Sequence, residues 1–178
     1  MGRNKLLLQL DGKALVRRAV EQALAAKLAP VVVVLGHQPR KTRAVLDDLP
    51  CLFVRNAAFA GPTSGSLHRG LEALPPTADA AVIMLADMPH VTAAMLVTLA
   101  SALRENPAAL AASRYGDVLA PPLLFRRELF PELLAWHGEG CGRQVVLRHR
   151  DRAVFLDWPV DMLADVDTPE DARNAGLT

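Results

Sequence analysis

Apolar residues recur along this chain with two alternating periods. Leu15, Val16, Ala19, Val20, Ala23 and Leu24 fall at helical spacing, and Pro30 bounds that helix. VVVVL (31–35) is a continuous apolar run of strand length, the pattern of a strand covered on both faces, and Gly36 stops it. Thr42 to Leu49 predicts a short helix closed by Pro50, and LFVRN (52–56) a further strand. SLHRGLEAL (66–74) sets Leu67, Leu71 and Leu74 on one helical face ahead of Pro75-Pro76. Val82 to Ala86 then reads as a buried strand, and Thr92 to Leu103 as a helix.

Beyond that point the pattern is less regular. AALAAS (108–113) and VLAPPLLF (118–125) predict strands around a Tyr115-Gly116-Asp117 turn. Arg127 to Trp136 and Arg143 to His149 predict helices. AVFLDW (153–158) predicts a last strand before a closing helix from Pro169. Such alternation implies an α/β fold: a doubly wound, Rossmann-like, mostly parallel sheet with right-handed crossovers. No repeat, linker or low-complexity segment interrupts it, so residues 1–178 read as one domain.

Composition removes several classes of function. With 51% apolar residues, disorder is excluded, and no run approaches the ~20 apolar residues of a membrane span. Twenty Lys and Arg against nineteen Asp and Glu make no basic field, and 4% aromatic residues make no stacking platform, which argues against nucleic acid. Arg3 and Lys5 precede LLLQL, but Gln9 and Asp11 break that run before it resembles a secretory signal. Cys51 and Cys141 form no CxxC, which suits a reducing cytoplasm.

Charge at element ends is where chemistry enters. Asp87 follows a greasy strand two residues before Pro89, and desolvating a carboxylate costs several kcal/mol unless something pairs with it. It is either a loop carboxylate in water or the holder of a cation at the mouth of an α/β sheet. In DMLADVDTPEDA (161–172), Thr168, Pro169 and Asp171 are explained by helix capping, but Asp165 and Asp167 are not. Together with Asp87 they could converge, and magnesium takes one or two carboxylates while leaving other positions to water and phosphate. GPTSGSLHRG (61–70) brings small hydroxyl residues into a helix start, where capping by Ser64 or Ser66 and the binding of a polar ligand edge are equally open. Lys5 could bind phosphate or simply be solvated. The histidines show no metal spacing, and no GxSxG or Cys-His arrangement marks a covalent nucleophile.

Together these segments resemble the MobA-like nucleotidyltransferases, and most closely the molybdenum cofactor cytidylyltransferases, over nearly the whole chain. GRNKLLLQLDGKAL resembles the stretch after that family's glycine-rich loop. Asn56 with GPTSGSLHRG resembles its N…GxxSSLRxG segment, LADMPHVT its LxDxPxV motif, and DVDTPEDA its closing DxDTPED. The resemblance implies a nucleotide-diphospho-sugar transferase type of fold. It implies catalytic roles for Lys5 and Asp87, and Mg²⁺ held by Asp87 and one of Asp165 and Asp167. Asn56, Gly61, Ser64, Gly65 and Ser66 would contact the nucleotide. Serines in place of a PLAG sequence point to CTP rather than GTP. The implied reaction is attack of the molybdopterin phosphate on the α-phosphate of CTP with release of pyrophosphate, for later delivery to a molybdoenzyme or its chaperone.

His68 and Arg69 stand where the family has an arginine after S-L, Ala120 stands for a glycine, and Glu139 for an aspartate. Met1 falls where the family's R-M-G begins. The first strand and nearly all of the glycine-rich loop are therefore expected to be absent, giving a shortened form that binds CTP and Mg²⁺ poorly. Two rival readings share the sequence: a non-catalytic nucleotide- or cofactor-binding domain, and a nucleotidyltransferase acting on a sugar phosphate or another phosphorylated acceptor.

Overall fold

A computed structural model describes residues 4–163. The chain opens with a hairpin, β1 (Gln9–Leu10) against β2 (Lys13–Ala14), turned at Asp11-Gly12. Both turn residues have positive φ, +52° and +74°, as a type I′ turn requires. Helix α1 (Leu15–Ala25) follows directly and buries Leu15, Val16, Val20 and Ala23, as its periodicity predicts. It stops before Pro30: Lys27 turns left-handed at φ +59°, and the Leu28 N–H returns to the Ala23 carbonyl at 3.1 Å. Arg17 then ties α1 to the segment after α2 through two bonds to Asp48, at 2.6 and 2.7 Å.

Strand β3 (Val31–Leu35) pairs in parallel with β4 (Cys51–Arg55), Val31 opposite Cys51 and Leu35 opposite Arg55. Between them α2 spans Pro39–Ala44, earlier than the expected 42–49, because Pro39 supplies a preset first turn. Helix α3 covers Thr63–Glu72, so the serine segment is the helix's first turns rather than a loop ahead of it. Strand β5 (Ala80–Ile83) is shorter than expected and ends four residues before Asp87. Helix α4 (Ala93–Glu105) is capped by Thr92, whose hydroxyl accepts from the Met95 N–H at 3.3 Å. Strands β6 (Leu110–Tyr115) and β7 (Val118–Arg126) form a hairpin. Helices α5 (Phe130–Ala135) and α6 (Cys141–Arg148) and strand β8 (Ala153–Trp158) complete the described chain.

The result is a mixed α/β architecture in which β7 runs against its neighbours. The order is β5-β7-β6-β8, with β5 and β6 antiparallel to β7 and β8 parallel to β6. Alternate residues of the strands feed opposite helix layers. Leu110, Ala112, Leu123 and Phe125 pack with Leu71, Leu133 and Val145 of α3, α5 and α6, whereas Ala111 and Leu124 pack with Leu99 and Leu103 of α4. In β3, Val31 and Val33 face α1, while Val34 approaches Gly70 of α3. A strand covered on both sides explains why VVVVL shows no polar alternation.

Candidate active site

Three strands deliver polar residues to one end of the sheet. Beyond β3 stand Gly36 and His37, beyond β4 stands Asn56, and beyond β5 stands Asp87. Asn4 Nδ2 donates to the His37 carbonyl and to Thr42 Oγ1, each at 3.2 Å. Its neighbour Lys5 places Nζ 2.6 Å from Asp87 Oδ2. Because residues 4 and 5 adjoin, the carboxyl ends of β3 and β5 open side by side. The Asn56 N–H reaches the Leu35 carbonyl at 2.9 Å and adds the end of β4 to the same mouth. Folds of this class place ligands at such carboxyl ends.

The Lys5–Asp87 pair is sheltered without being sealed: the lysine side chain is 33% exposed and the aspartate 15%. Asp87 is thus paired with the Lys5 ammonium rather than standing alone in water. Met88 and Val91, both buried, pin the loop that carries it. Asn56 is 4% exposed and fully engaged, Nδ2 donating to Ser66 Oγ at 3.0 Å and Oδ1 accepting from the Ala58 N–H at 3.0 Å. It holds the turn after β4 and ties it to the first turns of α3.

Ser64 is buried and accepts from the Gly138 N–H at 3.1 Å. This draws the glycine-rich segment before α6 against α3. Glu139 in that segment reaches Thr63 twice, accepting from its N–H at 3.1 Å and from its hydroxyl at 2.6 Å. A distant carboxylate therefore caps α3, one of the two roles left open for Ser64 or Ser66. Gly61 and Gly65 line the same turn, where added Cβ atoms would stand 3.2 Å from the Ala58 carbonyl and 3.6 Å from Asn56 Nδ2.

Of the predicted residues, the structure joins Lys5 to Asp87 and Asn56 to Ser66, and sets Ser64, Gly61 and Gly65 around α3's start. Asp165 and Asp167 lie outside the described residues. Among the described residues no group of three His, Cys, Asp or Glu could hold a metal ion, so Asp87 is the carboxylate there that the predicted metal site rests on. The contacts of Asn4 and Glu139 escaped sequence reasoning because their partners lie far along the chain. Two of the histidines make structural contacts: His68 Nε2 sits 3.1 Å from the Leu133 carbonyl, and His149 Nε2 2.6 Å from Glu132.

A model of the MobA-like NTP transferase domain matches residues 1–153. No curated protein sequence matches the chain significantly. Among solved structures, Rv0371c from Mycobacterium tuberculosis is similar at 26% identity and TM-score 0.81, over 98% of this chain and 90% of that one. The same protein has been solved in complex with manganese, matching at 27% identity, TM-score 0.79, and 98% and 92% of the two chains. A nucleotidyl transferase from Methanothermobacter thermautotroptrophicus shares the fold at 22% identity and TM-score 0.79, over 96% and 82% of the two chains. The chain belongs to the MobA-like NTP transferase domain family and is a nucleotidyltransferase of the nucleotide-diphospho-sugar transferase fold.

Proposed function

We propose that this chain transfers CMP from CTP to the phosphate of molybdopterin, with Mg²⁺ as cofactor and pyrophosphate as the leaving group. The observation that carries the reading is the ammonium–carboxylate pair Lys5–Asp87 at the shared mouth of β3, β4 and β5. The donor chemistry fits magnesium: a hard carboxylate oxygen, mostly shielded, at an end of the sheet suited to phosphates, with the DVD carboxylates available in the sequence. Asp87, with Asp165 or Asp167, would hold the ion. The manganese complex of Rv0371c supports a divalent ion as cofactor. When bound, the ion neutralises phosphate charge.

The chain's own residues do the positioning. Lys5 lies where it can swing from Asp87 to the triphosphate and hold its charge through transfer. Ser66 offers a hydroxyl to a base edge, Asn56 holds that hydroxyl in place through its Nδ2 donation, and Gly61 and Gly65 let the ligand approach the backbone. An acceptor phosphate oxygen attacks the α-phosphorus of CTP. As that P–O bond forms, the bond to the bridging oxygen breaks and pyrophosphate departs with its electron pair. An acceptor already anionic at neutral pH needs no general base.

Replacing Asp87 with Asn tests the reading. Magnesium-dependent pyrophosphate release should fall by about 10²–10³-fold while the thermal midpoint stays close to wild type. Unchanged release would remove Asp87 from the chemistry.

A further inference from the structure

Aromatic residues are scarce in this chain, and one of them sits where packing gives it little to do. Of the five phenylalanines, Phe125 and Phe130 are buried and Phe53 and Phe155 half-buried, whereas Phe59 stays 46% exposed. A lone exposed apolar side chain is ordinary on a protein surface. Phe59 is not alone. It stands in the turn between β4 and α3, at the mouth where β3, β4 and β5 end. The exposed ring of His37 lies beside it, 5.9 Å away between centroids and tilted by 50°.

The backbone under both rings is held by polar side chains. Asn56 Oδ1 accepts from the Ala58 N–H at 3.0 Å, and the Gly61 N–H closes on the Ala58 carbonyl at 2.9 Å, so the turn is fixed on either side of Phe59. Phe59 Cβ lies against Gly36, where an added Cβ would come within 2.7 Å of it. Asn4 Nδ2 donates to the His37 carbonyl at 3.2 Å. Asn56 also donates to Ser66 Oγ, so one amide anchors both the ring-bearing turn and the hydroxyl assigned to a base edge. Lys5, next to Asn4, marks the phosphate end of the same mouth. A ring fixed in place before the ligand arrives lowers the ordering cost of binding a flat group.

We propose that Phe59, braced by His37, stacks on the base of the nucleotide whose triphosphate meets Lys5. The inference rests on the nucleotidyl transfer proposed for this mouth and adds the group that holds the base. Every base has a π-face, so stacking supplies affinity without choosing among bases, and the choice is left to Ser66 at the base edge. One ring pair suits a single base and not a strand, in keeping with a chain poor in aromatic residues and without a basic field. Covering Gly36 needs only apolar bulk, which leucine supplies as well as phenylalanine. Stacking needs the ring.

The test measures, by calorimetry in magnesium, the binding of CTP, GTP and inorganic tripolyphosphate to the full chain. Phe59→Leu keeps the apolar bulk over Gly36 and removes the π-face, whereas Phe59→Tyr keeps the ring. Phe59→Leu should weaken CTP and GTP at least ~5-fold, leave tripolyphosphate unchanged and hold the thermal midpoint, while Phe59→Tyr binds as wild type does. Weakening of both nucleotides supports stacking even where GTP binds better than CTP, an outcome that removes only the cytidylyl assignment. Equal weakening of tripolyphosphate overturns the proposal, because the loss then lies in the shape of the loop and not in the ring. Nucleotide affinity untouched by Phe59→Leu overturns it too, as does a change confined to the KM of a phosphorylated pterin acceptor. No binding of either nucleotide by the wild-type chain overturns both this inference and the function it rests on.

Discussion

At Gly36, just past β3, an added Cβ would stand 2.7 Å from the Cβ of Phe59, too near the backbone for a rotamer change to relieve. Gly36→Ala should therefore cost about 1–3 kcal/mol, measured by denaturant midpoint, and adding Phe59→Ala should recover part of it. If Gly36→Ala alone is neutral, the loop is looser than its packing indicates. Thiol chemistry gives a second residue-scale test. Burial, with a smaller push from Glu132, raises the Cys141 thiol to about 11, and burial also raises Cys51. Cys141 is 4% exposed, so at pH 8 iodoacetamide should label Cys51 well before Cys141. The residues legible in sequence were those whose identity is odd for their place: Asp87 after an apolar strand, and the serines in a helix start. Glu139 was not, because the Thr63 it caps lies 76 residues away.

Element boundaries moved for the same reason. α3 starts at Thr63 because Glu139 satisfies its first N–H, and α2 starts at Pro39 rather than Thr42 because proline presets its entry. Apolar periodicity reports where a helix is buried, not what caps it. Removing that cap by Glu139→Ala should weaken α3's first turn by about 0.5–1 kcal/mol, seen as faster exchange of the Thr63 amide. α5 and α6 are joined by Glu132, whose carboxylate meets His149 Nε2 at 2.6 Å and Arg148 Nη1 at 3.1 Å. The bond with His149, then that with Arg148, holds the Glu132 carboxyl below its ordinary range. A lowered folded value means this stabilisation is complete above the ordinary carboxyl pKa of about 4.3 and is lost as pH falls through the folded value. Glu132→Gln should therefore lower stability at neutral pH and flatten its decline in acid. An unaltered acid slope would mean that the triad contributes nothing to holding the two helices together.

At the scale of the whole molecule, strand–helix alternation was enough to read a doubly wound α/β fold. The reversal of β7 was partly legible as well, since Tyr115-Gly116-Asp117 between two apolar runs is a hairpin signal. What no local pattern carries is the break between β3 and β5, because pairing across a sheet is decided by segments distant in sequence. Nucleotide preference also belongs to this scale. If CTP is the substrate, it should raise stability by about 2.7 kcal/mol at a hundredfold excess over its dissociation constant, and GTP at the same concentration by less. Equal protection would remove the cytidylyl assignment and leave the family intact. The central claim is that nucleotidyl transfer takes place where Lys5 meets Asp87. The most direct measurement is magnesium-dependent pyrophosphate release from CTP with a phosphorylated pterin acceptor, by the chain and by its Asp87→Asn variant. The account predicts release that collapses with Asp87→Asn. Release indifferent to Asp87 would contradict it.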